Sequence, residues 1–349
     1  MKLSHAGLVR LYLGLIAAAL LVVGEAGCSS SSDSSPEAVR AIWVQPDAAS
    51  TSEKADMMIE KIKRGGFNTI LYGVLPSDVY YRSALLPRSR YVTPEYDPLA
   101  YVVKQGHASE LKVQAWWSCG IAPRFASFRN RYPDWDIDRL GEATEGTHWL
   151  NFSLPEVKQF VGDVVLEITQ NYPVDGVHLD YIRYPDGTSD WGGIGDADVP
   201  STVQNAYQRL KAIRPEVQLT AAVAGSQARS RSTRQHWASW LAGEYIDRVF
   251  PLAYLAPDQT YARLGSSWTL EFATEEWQAL PHRERIAPGL NVVFEDGDAS
   301  VAKAPEQFIA QVEVCRRDGF GDIAVFDEKT ITVEILDALA ARPEQHSPQ

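Results

Sequence analysis

Val174-Asp175-Gly176-Val177-His178-Leu179-Asp180-Tyr181-Ile182-Arg183-Tyr184-Pro185 is the stretch that decides how this chain is read. It begins as a short apolar strand, Gly176 to Asp180. It ends in acidic, aromatic and basic side chains and leaves in a Gly- and Asp-rich loop over residues 181–200. Side chains alternate along a strand, so His178 and Asp180 share one face. In a parallel (β/α)8 barrel, chemistry collects at the C-terminal ends of the strands. A carboxylate there, with aromatic rings beside it, is suited to the oxocarbenium-like charge of a breaking glycosidic bond. Asp175, at the opposite end of the strand, reads as structural.

Outward from this segment, strands alternate with helices, the α/β signature. The pattern predicts strands over residues 39–44, 67–74, 112–117, 176–180, 217–223, 247–254, 285–290 and 322–326. Ser50 with Glu53, and Ser153 with Glu156, form capping boxes for two of the helices. Gly65-Gly66 end the first helix, and Pro98 opens the second. Val157, Phe160, Val161, Val164, Val165 and Ile168 recur at helical spacing. Further helices are expected up to Ile213, over 233–243, and from Pro305 to a stop at Gly319, with a last one ending near Ala341. The expected architecture is one (β/α)8 TIM barrel over residues 38–342, followed by a tail at 343–349. The loops after strands two, three and four are longer than a connection requires, as in a substrate cleft.

The N-terminus reads as a targeting segment. Lys2 and Arg10 precede an apolar run from Leu11 to Gly24, and Ala26-Gly27 precede Cys28. That layout is similar to a bacterial lipoprotein signal over residues 1–27. Lipidation is expected at Cys28, with a Ser-rich tether over 28–37. Ser29 after the Cys favours the outer membrane, facing the periplasm, in a two-membrane cell. The chain has 33 basic and 45 acidic residues, and loss of residues 1–27 leaves 31 and 44, a net of −13. So acidic a chain is not suited to nucleic acid, whose phosphates need the opposite sign. Cys119 and Cys315 read as two buried free thiols. No CxxC or HExxH spacing points to a metal, and no cofactor is called for.

Three segments together carry a family resemblance. They are Arg40-Ala41-Ile42-Trp43-Val44, Leu150-Asn151-Phe152-Ser153-Leu154-Pro155-Glu156-Val157, and Asp175 to Pro185 as quoted above. The chain resembles the glycosyl hydrolase-like 10 family, bacterial barrel proteins that include periplasmic or lipid-anchored glycosidases acting on peptidoglycan glycan. The resemblance implies a glycoside hydrolase of the cell envelope whose partner is a polysaccharide. Many members carry two consecutive Asp residues in strand four, where this chain has Asp180-Tyr181.

Asp180 is the candidate nucleophile or charge-stabilising carboxylate. An acid from another strand end must complete the pair. Glu328 and Asp327 follow strand eight without a gap and rank ahead of Glu295, Asp258 and Asp47. Candidate sugar contacts are His178, Tyr181, Arg183, Tyr184, Trp117, Trp149, Tyr254 and Asn291, since flat rings stack on sugar C–H faces. Trp43 and Trp116 are assigned to the core, and Trp191 also falls on this face. Arg82, Arg88, Arg90, Arg124, Arg129, Arg131, Arg183, Arg229, Arg231 and Arg234 gather in the loops of the expected catalytic end. They form a cationic rim suited to the carboxylates of an anionic glycan. Two alternatives are a non-catalytic sugar-binding lipoprotein on a degenerate barrel and a transglycosylase. Oligomeric state is not indicated.

Overall fold

The computed structural model describes residues 37–74, 79–121, 126–137, 148–186, 193–259, 268–296 and 299–342. The signal segment, Cys28, the tether, Arg124, Trp191 and the tail lie outside the described residues, as does the side chain of Arg129. The strands in chain order are β1 (Arg40–Val44), β2 (Thr69–Gly73), β3 (Lys112–Ser118), β4 (Gly176–Asp180), β5 (Gln218–Ala224), β6 (Arg248–Ala253), β7 (Gly289–Asn291), β8 (Val293–Asp296), β9 (Ala299–Ala302) and β10 (Ile323–Phe326). Eight of them close into a parallel barrel in the order β1-β10-β7-β6-β5-β4-β3-β2. The fold is the (β/α)8 barrel that the alternation predicts.

The pleat sorts each strand into two faces. Ile42, Ile70, Val113, Ala115, Trp117, Val177 and Leu179 point outward and join the large core beneath the helices. Ala41, Trp43, Leu71, Trp116, Ala222, Phe250, Ala287 and Ala324 point inward and fill the barrel. Small residues there leave room for three large rings. Gly289 serves the same end, since a Cβ on it would lie 3.0 Å from the Trp43 ring. A polar chain threads this interior. The Trp43 indole donates to His178 Nε2 at 3.1 Å, and His178 Nδ1 lies 2.9 Å from the Thr220 hydroxyl. Thr220 donates to Gln114 Oε1 at 2.6 Å, and Gln114 donates to Gln218 at 3.1 Å. Each buried polar group in this chain therefore has a partner.

Several local readings need correction. The first helix, Ser52–Arg64, is capped by Thr51 rather than Ser50: Thr51 has the extended backbone and accepts from the Lys54 N–H. Helix Pro155–Asn171 has no side-chain cap, because Ser153 donates its hydroxyl to Asn151 instead. Pro155 removes one of the N–H groups that a cap would have served. The 233–243 helix is two short ones, Gln227–Ser232 and Trp237–Ala242, parted by a turn in which Arg234 and His236 have positive φ. Strand seven starts later than expected, after a 3-10 turn at Arg283–Arg285. The β8–β9 antiparallel hairpin that follows it was not anticipated. Pro98 opens its helix and Gly65 closes the first, as read, and Asp97 adds a side-chain cap before Pro98. Cys119 and Cys315 are buried and unbridged, as expected.

The β3 and β4 exits press together. The Cys119 N–H donates to the Asp180 carbonyl at 2.9 Å. A Cβ on Gly120 would lie 1.8 Å from the Tyr181 carbonyl oxygen. Backbone cannot yield there as a flexible side chain would. Gly120→Ala should therefore lower stability by about 1–3 kcal/mol, the usual range for overpacking. Urea midpoints at unchanged m-value would report the loss, and coincident curves would show that the contact is not tight.

Candidate active site

Asp180 ends β4, and its inward parity aims the carboxyl at the C-terminal mouth of the barrel. Trp116 lies two residues back from Ser118, the β3 partner of Asp180, so it shares that inward face. Its indole N–H donates to Asp180 Oδ2 at 2.9 Å. Tyr181 turns into the left-handed region, φ 52°, and its N–H donates to Asp180 Oδ1 at 2.7 Å. Burial pushes the Asp180 carboxyl above the ordinary carboxylate range. The Trp116 and Tyr181 hydrogen bonds and the Arg183 charge pull it partly back. A carboxyl held this way keeps its proton to higher pH than a surface Asp, which suits proton donation to a leaving oxygen.

Asp180, Tyr181, Arg183, Gly225, Arg229 and Leu252 line one narrow cleft of about 70 Å³. Trp268 stands beside it: a Cβ on Gly225 would come within 2.6 Å of its ring. Tyr254, at the end of β6, is 38% exposed and leans on Phe326 with centroids 5.3 Å apart. Its phenol is pushed well up, first by burial and then by the charges of Asp180 and Asp327. Both carboxyl groups thus act on the same hydroxyl. Asp327 follows β10, which stands diametrically across the barrel from β4. It is buried. Oδ2 accepts from Gln45 at 3.2 Å, and Oδ1 accepts from the Thr330 hydroxyl at 2.7 Å.

Other expected residues turn elsewhere. Glu328, past the end of β10, lies over helix Ser52–Arg64 and pairs with Lys61 at 3.0 Å. It lines an outer groove with Lys54 and Met57, not the Asp180 cleft. Trp117 faces the helices and meets Phe160, so the inner tryptophan of the pair is Trp116. Trp149 is 5% exposed, with Arg183 stacked on it at 4.9 Å, and is no open sugar platform. Tyr184 is buried against Phe152, with its hydroxyl on Asp198. His178 is fully enclosed and uses both ring nitrogens in the interior chain. Asn291 accepts from the Leu255 N–H and from Lys303, and donates to the Val293 carbonyl. Each of these is structural because its polar or flat surface is already spent inside the fold. Asp47, Asp258 and Glu295 are exposed.

The cationic rim is mostly committed as well. Arg82 and Arg88 hold carbonyls of their own loop, and Arg234 pairs with Asp196. Arg90 and Arg131 lie over Tyr91 and Tyr132. Sequence reasoning missed Trp116 as the donor to Asp180, though counting parity across β3 and β4 would have found it. It also missed Gln45, Gly225, Leu252 and Trp268, which carry no local signal of their own.

The buried imidazole has a pH consequence. Burial lowers the His178 pKa from 6.5 to about 3. Between those values the unfolded chain binds a proton that the folded chain refuses. Stability should therefore fall as pH drops below about 6, by roughly 1.4 kcal/mol per unit from this group. Comparison of His178→Gln with the parent from pH 6.5 to 4 should show a shallower loss in the variant. Parallel curves would mean that His178 titrates normally in the fold.

Comparison with known proteins agrees with the resemblance. The family model described as Glycosyl hydrolase-like 10 matches residues 38–190. The chain is 24% identical over 216 residues to Glycosyl hydrolase YngK of Bacillus subtilis, covering 53% of this chain and 40% of that protein. It is 25% identical over 209 residues to Glycosyl hydrolase DigH of Escherichia coli strain CFT073, covering 48% of this chain and 46% of that protein. The chain thus spans less than half the length of these curated relatives. Among solved structures, α-L-fucosidase isoenzyme 2 from Paenibacillus thiaminolyticus superposes with a TM-score of 0.60 at 13% identity. It covers 86% of this chain and 48% of that one, a likeness of fold.

Proposed function

From a chain whose residues 38–190 match the glycosyl hydrolase-like 10 family model, we propose a glycoside hydrolase acting on a bacterial envelope polysaccharide, specifically the glycan strands of peptidoglycan. The observation that carries the reading is the Asp180 carboxyl. It sits at the catalytic end of the barrel, in a cleft, with its proton favoured by burial and its orientation set by two donors. In this proposal Asp180 is the general acid that protonates the glycosidic oxygen. That exchanges the roles drawn from sequence, where Asp180 was the nucleophile or charge stabiliser. Asp327, across the mouth, is the second carboxylate, poised toward a water on the far side of the sugar. Tyr254 lies on β6, midway around the barrel between the two, and offers its hydroxyl and a half-open ring to the substrate. An acid and a base on opposed strands, far enough apart to admit a water, would be the arrangement of inverting hydrolysis.

Asp180→Asn should keep the fold and lower kcat on peptide-free glycan strands by about a thousandfold or more, given the usual size of acid catalysis combined with charge stabilisation. Mass analysis reads the chemistry. Hydrolysis adds water at new reducing ends, elimination leaves anhydro ends, and a pure binding protein releases nothing. Turnover within a few-fold of the parent would remove Asp180 from the mechanism.

We further propose that residues 1–27 are a lipoprotein signal and that Cys28 anchors the domain at the outer membrane, facing the periplasm. The charge, the apolar run and Ala26-Gly27-Cys28 support it. A lipoprotein signal peptidase inhibitor of the globomycin type should leave an unprocessed precursor, whereas normal maturation would reject the anchor.

A further inference from the structure

We propose that Arg229 selects an acidic sugar in the Asp180 cleft by exchanging its Asp186 partner for a carboxylate carried on the glycan. The proposal rests on the glycan reading above. Arg229 and Asp180 line the same cleft. Arg229 grips Asp186 with two prongs, Nε to Oδ1 at 3.3 Å and Nη2 to Oδ2 at 3.0 Å. A guanidinium offers that fork to any carboxylate of suitable reach. Both side chains are more than half exposed, 58% and 56%, so the internal pair contributes little and can be traded.

Arg183 is not available for such an exchange. It donates to the Tyr184 carbonyl at 3.0 Å and lies over the rings of Trp149 and Tyr181. Its charge nonetheless faces Asp186 at 3.9 Å. Asp186 is thus shared by two guanidinium groups, and this wall of the cleft stays cationic on a body of net charge −12. A lactyl ether stripped of its peptide presents a compact planar carboxylate at a fixed place on the sugar ring. Bound there, it would meet the Arg229 fork as Asp186 now does, and the sugar would sit against Asp180.

The test reads binding rather than turnover. Asp180→Asn serves as the parent, and calorimetry compares peptide-free glycan strands with the same strands after methyl esterification of their carboxylates. The acid form should bind at least about tenfold tighter, as expected for a charge-assisted hydrogen-bonded pair. Adding Arg229→Gln should abolish that preference. Adding Asp186→Asn should enlarge it, an opposite sign that mere structural damage would not produce. Equal weakening of both forms by Arg229→Gln, or no preference for the acid form in the parent, would overturn the proposal. A protein that binds as expected yet never hydrolyses would sink the catalytic reading and leave this one standing.

Discussion

The hydrogen bond from the Trp116 indole to the Asp180 carboxyl joins the barrel's interior to its mouth. Trp116 is part of the packed inner layer, with Trp43 and Phe250 beneath a ring of small residues. Its N–H would be an orphan in that layer if it did not reach Asp180. The carboxyl in turn is half-buried at the edge of the cleft and keeps one orientation through fixed donors. Each group answers the other's need, and neither can be altered alone without leaving a buried polar atom unmet. The position of the acid is therefore a product of core packing and does not depend on loop conformation.

The same logic separates what could be read in the sequence from what could not. The barrel was legible because apolar strands and 3.6-period helices alternate from Arg40 onward, and β4 was placed to the residue. Asp180 was legible because strand parity and strand direction both pointed to it. Parity also resolves Trp116 from Trp117, provided the register between strands is known, whereas Asp327 and Glu328 lie past the end of β10, where alternation no longer sets direction. From one strand alone that register is invisible: Trp116 is core, as read, but Trp117 is core as well and not a sugar platform. Tyr184, Trp149 and Asn291 failed for a different reason. Each lies in a loop or at a short strand's end, where a side chain's direction is set by distant partners such as Asp198, Arg183 and Lys303.

His178 shows that a histidine in the right strand and on the right face can still be a structural group. Its two nitrogens close a chain that runs from Trp43 to Gln218. That chain gives the Trp43 indole, the imidazole and the Thr220 hydroxyl partners inside the barrel. It also leaves the His178 imidazole unprotonated at neutral pH and without a free nitrogen for proton transfer. In the proposed reading, acid–base work at the mouth falls to carboxyl groups, with Tyr254 as the phenol between them.

The absence of a side chain at residue 120 bears on how this protein can diversify. Because the exits of β3 and β4 touch backbone to backbone, insertions, deletions or bulky replacements at that junction would shift the reactive group itself. Variation is therefore most accessible away from this junction, where a changed side chain leaves the Asp180 carboxyl in place.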